Sequence, residues 1–164
     1  MAKIESPREL FVHQLGAAYK MENEILGMLE ELEQEAQSQK LKQQLSHHRQ
    51  ETKQQVHNLE RAFQALGKEA EEQPCPVVEG LQKEGKQNLK QVDDRLNDAV
   101  ILAGAAQTEA HEIAVYDGLI THAEAMGEDD LVALFQENLE QEQHTLKEVR
   151  DATKKLAQRE SQTV

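Results

Sequence analysis

The chain has 164 residues, which is enough for one domain with a substantial core. Aromatic residues make up only 3% of it, so the core must be aliphatic. The formal net charge of −13 disfavours nucleic acid and anionic membranes as partners, and no apolar run approaches the ~18 residues of a membrane span. Ala, Leu, Glu, Gln and Lys dominate, so the composition predicts an all-α fold.

The sequence also indicates a reducing compartment. Its first residues, MAKIESPREL, lack the apolar core of a signal peptide. Cys75 is the single cysteine, so no disulfide can form within the chain. We therefore expect a cytoplasmic protein.

The first helix is predicted over residues 7–35. Ser6 is a suitable N-cap, and Pro7 fits the first helical position. Apolar residues then recur at steps of three and four, which is the spacing of one buried helix face. That face includes one acidic residue, Glu22, among Phe11, Leu15, Ala18, Ile25, Leu29 and Leu32.

The second helix is predicted over residues 39–66, from the cap Ser38 to the glycine that follows. Its buried face is apolar at both ends and polar in the middle, where His48 and Glu51 lie on the same side. Residues 68–92 form a long connection with a short helix expected at 77–89. Such a connection can cross the length of a helical bundle.

The third and fourth helices are predicted over residues 94–126 and 129–157, on either side of Gly127. The third carries Glu109 and Glu112 three residues apart, so both face one side, and the fourth carries Glu142 at a buried position. The small residues Ala103, Gly104, Ala105 and Ala106 predict a close approach between helices.

These acidic residues are predicted to lie in one layer of the bundle. Glu22 and Glu51 lie about 14 or 15 residues from the turn near residue 37, and Glu112 and Glu142 lie about 15 from Gly127. At ~1.5 Å per residue, each is ~21–23 Å from its turn. On the same arithmetic, Glu109 lies one turn deeper and His48 about one turn shallower.

Carboxylates gathered in an apolar layer repel one another unless they are protonated, solvated or bound to cations. Carboxylate-bridged metal pairs are held in this way within helical bundles. The sequence therefore predicts two iron ions, or manganese, at a set of acids and one histidine: Glu22, Glu51, Glu109, Glu112, Glu142 and His48. His48 is either a ligand or a hydrogen-bonded interior histidine. Tyr19 and Tyr116 are placed to hydrogen-bond to carboxylates or to pack in the core.

Several stretches resemble the YciF/YciE-like bacterial stress proteins of the ferritin-like superfamily, and the resemblance covers nearly the whole chain. They are Leu10–His13, Tyr19–Glu22, His48–Thr52, Leu59-Glu60, Cys75, Glu79–Leu81, Asp98-Ala99, Glu109–Tyr116 and Leu139–Glu142. The resemblance implies a single ferritin-like domain over residues 1–164. Its fold would be an antiparallel four-helix bundle with a short extra helix in the long crossover.

The resemblance further implies a homodimer with a rubrerythrin-like di-metal centre. By position, the implied ligands are Glu22, Glu51, Glu109, Glu112 and Glu142. Ferritin-like proteins often use Glu-x-x-His, whereas here Gln54 follows Glu51 and Thr145 follows Glu142 at that spacing. The centre would therefore be poor in nitrogen ligands.

Two functions follow from the sequence, and whether the protein is an enzyme stays open between them. The first is a stress-response protein with a di-metal centre that oxidises ferrous iron or reduces peroxide. The second is a non-enzymatic helical stress or interaction protein whose inner carboxylates are vestigial or bind a structural cation.

Overall fold

The computed structural model describes residues 3–161, which form five α-helices. They are α1 (Pro7–Glu35), α2 (Gln39–Ala65), α3 (Pro76–Leu89), α4 (Asn97–Met126) and α5 (Asp129–Glu160), with a 3-10 turn at Asp94–Leu96. No helix in this part of the chain is long and apolar enough to cross a membrane.

The four long helices form a bundle in which every neighbouring pair is antiparallel. The hairpins α1–α2 and α4–α5 pack side by side, with α1 against α4 and α2 against α5. The crossover carries α3 back along the bundle, where it packs on α4 and α1, so that α4 begins at the end of the bundle where α2 begins. This is the predicted ferritin-like four-helix bundle with a short extra helix in the long crossover.

The helix ends follow the local sequence. Ser6 and Ser38 cap α1 and α2 by accepting hydrogen bonds from the backbone N–H groups of Glu9 and Leu41, each at 3.2 Å. Gly127 ends α4 in the left-handed conformation, at φ 70°, which glycine adopts without steric cost. The helix α4 begins at Asn97 rather than near residue 94, because the preceding residues form the tighter 3-10 turn.

Asp98 joins the two hairpins at one end of the bundle. Its carboxylate accepts hydrogen bonds from the backbone N–H groups of Gln37, at 2.6 Å, and Ser38, at 3.0 Å. These donors lie at the N-terminus of α2, where helical N–H groups have no partner within the helix. The contact fixes the start of α4 against the start of α2.

The small residues of α4 do not bring helices together as predicted. A Cβ atom at Gly104 would meet nothing within 4 Å, apart from the helix's own nearby backbone. Gly104 and Ala105 instead line a cavity beside the core. Small side chains allow either a close approach or an empty space, and the packing of the other helices decides which one forms.

Gly16 makes the closest approach between the crossover and α1. Its carbonyl accepts a hydrogen bond from the backbone N–H of Gln73 at 3.1 Å. A Cβ atom at Gly16 would lie 2.6 Å from Gln73 Cγ and 2.7 Å from the backbone oxygen of Glu71. Only a residue without a side chain fits there unless the crossover moves.

We therefore expect Gly16→Ala to destabilise the protein by roughly 1–3 kcal/mol, through overpacking against the crossover backbone. The matched control is Gly27→Ala in the same helix, where an added Cβ meets nothing within 4 Å. This control should stabilise by about 0.5–1 kcal/mol, because alanine favours the helix. Urea unfolding measures both changes, and equal effects of the two substitutions would contradict the close contact at Gly16.

Candidate metal centre

Four carboxylates and one histidine meet halfway along the bundle. Glu22 comes from α1, His48 from α2, Glu109 and Glu112 from α4, and Glu142 from α5. Glu22, Glu112 and Glu142 are 0% exposed, Glu109 is 2% exposed and His48 is 6% exposed. One donor atom from each of His48, Glu109, Glu112 and Glu142 lies within 4.8 Å of the others, so the group could hold a metal ion. We call Glu22, His48, Glu109, Glu112 and Glu142 the acidic cluster.

The carboxylates of this cluster have oxygens without hydrogen-bond partners. Glu22 and Glu109 each have one such oxygen, and Glu112 and Glu142 each have two. The buried polar and charged side chains of residues 3–161 include no lysine or arginine. Buried carboxylates normally find donors or opposite charges, because desolvation is costly otherwise.

The electrostatics of the cluster reflect this lack of compensation. Burial raises the pKa of Glu22 to about 7, against the lowering effect of the hydrogen bond from Tyr116. Burial, followed by repulsion from neighbouring carboxylates, raises the pKa of Glu112 and of Glu142 well above the ordinary range. Without a bound cation, the cluster therefore favours protonated acids.

His48 is the one base in the cluster. Its Nε2 lies 2.9 Å from Glu109 Oε1, which is ion-pair distance although the two are not aligned as a hydrogen bond. Its Nδ1 lies 3.5 Å from Thr145 Oγ1 and 3.8 Å from Glu51 Oε2. Burial lowers the pKa of His48, but its contacts with Glu109 and Glu51 outweigh burial and raise that pKa to about 10.

A chain of buried hydrogen bonds holds Glu22 in place. The hydroxyl of Tyr116 donates to Glu22 Oε1, so of the two alternatives that the sequence left for Tyr116, the hydrogen bond to a carboxylate is the one that forms. Asn138 Nδ2 donates to the Tyr116 hydroxyl at 3.0 Å, and Asn58 Nδ2 donates to Asn138 Oδ1 at 2.8 Å. These four side chains come from α1, α4, α5 and α2, so the network fixes one carboxylate relative to all four long helices. Tyr19 instead donates to Glu60, away from the cluster.

Glu51 lies at the edge of the acidic cluster rather than inside it. Its side chain is 21% exposed, and its Oε1 lies 3.5 Å from Nε2 of the exposed His47. The inward positions of α2 are taken by His48, Thr52 and Gln55, whose spacing of four and three residues turns Glu51 to the side. The prediction that Glu51 is a ligand stays a prediction.

Gln55 lies on the buried face of α2 and is not among the ligands predicted from the sequence. It is fully buried, both of its amide atoms lack hydrogen-bond partners, and it lies beside the Glu142 carboxylate. Its helical spacing from His48 and Thr52 is the sequence signal that places it on this face.

The acidic cluster fits metal ions that prefer oxygen. Its donors are carboxylates with unpartnered oxygens and a single imidazole, and carboxylate oxygen suits hard cations such as manganese and iron. In the part of the chain that the structure describes, the buried carboxylates have no positive side chain to balance them other than His48, and a bound cation would neutralise them. A four-helix bundle with acidic side chains buried in its core is the arrangement of the ferritin-like proteins.

Sequence and structure comparisons agree with that class. The chain belongs to the family described as Domain of unknown function (DUF892), which matches residues 6–162. It is 28% identical over 139 residues to Protein YciF of Escherichia coli (strain K12), covering 84% of each chain. The family is therefore the YciF-like one that the sequence resembles.

Solved structures show the same arrangement of helices. The structure of YcfI from Rhodopseudomonas palustris has a TM-score of 0.88 at 32% identity, covering 90% of this chain and 95% of that one. The E. coli stress protein YciF has a TM-score of 0.86 at 26% identity, with 92% and 96% covered. A protein from Xanthomonas campestris shares the fold, with a TM-score of 0.72 at 22% identity. The match covers 97% of this chain and 100% of that one.

The metal-free protein should lose stability as the pH rises from 6.5 to 9. The pKa of Glu22 in the folded protein is about 7, above its ordinary 4.5. Its stabilising contribution to the free energy of unfolding is therefore complete below about pH 4.5 and is lost as the pH rises through 7. The pKa of His48 is raised from 6.5 to about 10, so the contribution of His48 to stability is lost as the pH rises between these two values. Both changes lower the free energy of unfolding over this range, by about 1.4 kcal/mol per pH unit for each proton that folding takes up.

Urea unfolding at several pH values in the presence of a chelator measures this slope. Glu22→Gln removes one titrating group and should flatten the fall at and below about pH 7, where Glu22 titrates, and leave the His48 part of the fall above it. The exposed Glu140→Gln should leave the whole curve unchanged. A free energy of unfolding that stays level or rises between pH 6.5 and 9 would contradict the uncompensated burial of these acids.

Removing the Tyr116 hydroxyl should destabilise the protein more than removing that of Tyr19. Tyr116→Phe leaves Glu22 Oε1 without its donor and Asn138 without one acceptor, both in the dry core, at a cost of about 1–3 kcal/mol. Tyr19→Phe loses a partly exposed hydrogen bond to Glu60, so we expect about 1 kcal/mol or less. Paired denaturation curves test the ranking, and the reverse order would refute the role given to the buried network.

Proposed function

We propose that the acidic cluster holds two iron or manganese ions bridged by carboxylates, and that the protein acts in stress defence by oxidising ferrous iron or reducing peroxide. The observation that carries this proposal is the convergence of Glu22, Glu109, Glu112 and Glu142 on one dry layer with unpartnered oxygens. Similarity to the E. coli stress protein YciF supports the stress role.

The donor set would supply ligands to two ions. His48, Glu109, Glu112 and Glu142 are close enough to hold one ion. The unpartnered oxygen of Glu22 would be available as a ligand for a second ion. Gln55 adds a neutral oxygen donor beside Glu142. Bound in this cluster, such a pair supplies one-electron redox chemistry toward dioxygen or peroxide.

The residues of the chain have three tasks around this centre. Tyr116 orients Glu22, and Asn138 fixes Tyr116, so one ligand is held before any ion binds. The long helices keep bulk water away from the carboxylates, which strengthens their attraction for a cation. The pair of His48 and Glu109 can hold a proton at Nε2 when no cation is bound.

Metal analysis of untagged protein tests the centre directly. Wild-type protein should hold about two metal ions per chain after gel filtration with iron or manganese. Glu142→Gln keeps the shape of the side chain but removes a charge, and it should lose at least half of the metal. Glu140→Gln, two residues away and exposed on the same helix, should retain all of it. Equal metal contents in these two variants would refute the proposed site.

The same assay ranks the remaining ligands. Glu109→Gln should reduce metal content as strongly as Glu142→Gln, because Glu109 is buried against His48. Glu51→Gln should reduce it less, since Glu51 is at the edge of the cluster. If Glu51→Gln is as damaging as Glu109→Gln, Glu51 turns inward as a ligand when metal binds.

Turnover separates the enzyme from the structural alternative. Ferrous iron with oxygen, or peroxide with the reduced protein, should be consumed by wild type and not by Glu142→Gln. A protein that binds metal and gains thermal stability but consumes neither would have a structural cation site.

A further inference from the structure

A cavity of about 400 Å³ lies beside the acidic cluster, in the half of the bundle where α2 and α4 begin. All five helices contribute to its wall. This volume falls within the range of cavities that bind small molecules. Most of its wall is not part of the proposed metal site, which it meets only at His48, Glu51 and Glu109.

The wall of the cavity is mainly aliphatic. Its apolar residues come from every helix and include Ile25, Leu29, Leu45, Leu81, Ile101 and Val149. Two glycines keep it open, since a Cβ at Gly85 or Gly104 would meet nothing within 4 Å. An apolar space of this size loses contacts on all sides when empty, so an apolar molecule within it would gain them.

One end of the cavity is polar and reaches the acidic cluster. His48, Glu51, Glu109 and Thr145 line this end. His48 lies at ion-pair distance from Glu109, whereas the other oxygen of Glu109 has no hydrogen-bond partner and the neighbouring carboxylates add negative charge. The end can therefore donate and accept hydrogen bonds, and its excess of carboxylates disfavours an anionic head group.

The other side of the cavity is covered by α3. An ion pair of 2.8 Å between Lys86 of α3 and Glu31 of α1 bridges the rim, and both side chains are exposed. Val78 is the one residue of α3 that is buried, so this helix buries less than the four long helices do.

We infer that this cavity binds an uncharged aliphatic molecule with a single hydroxyl or carbonyl head group, whose chain lies along the apolar wall and whose head lies next to His48. The wall belongs to the chain itself, so binding does not depend on a metal. If the cavity does not bind such a molecule, the metal proposal is unaffected. If the acidic cluster does not bind metal, the cavity proposal is unaffected.

The test uses 1-decanol as the probe, with titration calorimetry on the full chain in the presence and absence of a chelator. Wild type should bind it saturably, with the negative heat-capacity change of apolar burial. Decanoate should bind at least about tenfold more weakly, because it brings a further negative charge to the carboxylates of the polar end.

A cavity-filling variant locates the binding. Gly104→Leu places a side chain in the empty space and should weaken decanol binding about tenfold or more. The control Gly118→Leu lies in the same helix, is exposed and has no neighbour within 4 Å of its Cβ, so binding should be unchanged. Circular dichroism and the melting temperature check folding, and neither variant should melt below wild type.

Three results would overturn the inference. One is an absence of saturable decanol binding to wild type, and another is equal binding to Gly104→Leu and Gly118→Leu. The third is tighter binding of decanoate or decylamine than of decanol. Sedimentation of the same samples adds a further outcome: dissociation of an oligomer by Gly104→Leu, without decanol binding, would assign the cavity to a second copy of the chain.

Discussion

Burial of carboxylates without compensating cations is the constraint on which the structure depends. Glu22, Glu112 and Glu142 are completely buried, and most of their oxygens have no donor. The apolar helix faces above and below this layer stabilise the bundle, whereas the layer itself opposes folding unless protons or metal ions neutralise it. One physical cause thus gives both the pH dependence of the metal-free protein and its proposed affinity for cations.

The network of Tyr116, Asn138 and Asn58 holds the Glu22 carboxylate in a fixed geometry. The conformational entropy of this side chain is therefore lost during folding and not when a metal ion binds.

The connection between the hairpins makes the layer possible. Because the two hairpin turns lie at opposite ends of the bundle, residues about 15 positions from either turn meet in the middle of helices that are 27–32 residues long. The crossover with α3 carries the chain back along the bundle, and Asp98 fixes the start of α4 to the start of α2. The same crossover helix covers the apolar cavity. The fold therefore places an acidic layer and an aliphatic space side by side.

Much of this could be predicted from the sequence, because local signals determine it. The caps Ser6 and Ser38 and the left-handed Gly127 set helix ends to within a few residues, and helical spacing identifies Glu22, Glu109 and Glu142 as inward residues. What the sequence does not resolve depends on rotation and packing between helices. Whether Glu51 or Gln55 faces inward is decided by a turn of α2 of less than one residue, and sequence spacing does not resolve it. Whether Gly104 marks a close contact or a cavity depends on side chains from other helices.

Anomalous X-ray diffraction from crystals grown with manganese or iron, collected on both sides of the metal absorption edge, would locate metal ions in the acidic cluster. We expect two anomalous peaks within the layer formed by Glu22, His48, Glu109, Glu112 and Glu142, at bonding distance from carboxylate oxygens. Crystals that bind metal only at the surface, with these carboxylates ordered and hydrogen-bonded to one another through shared protons, would contradict it.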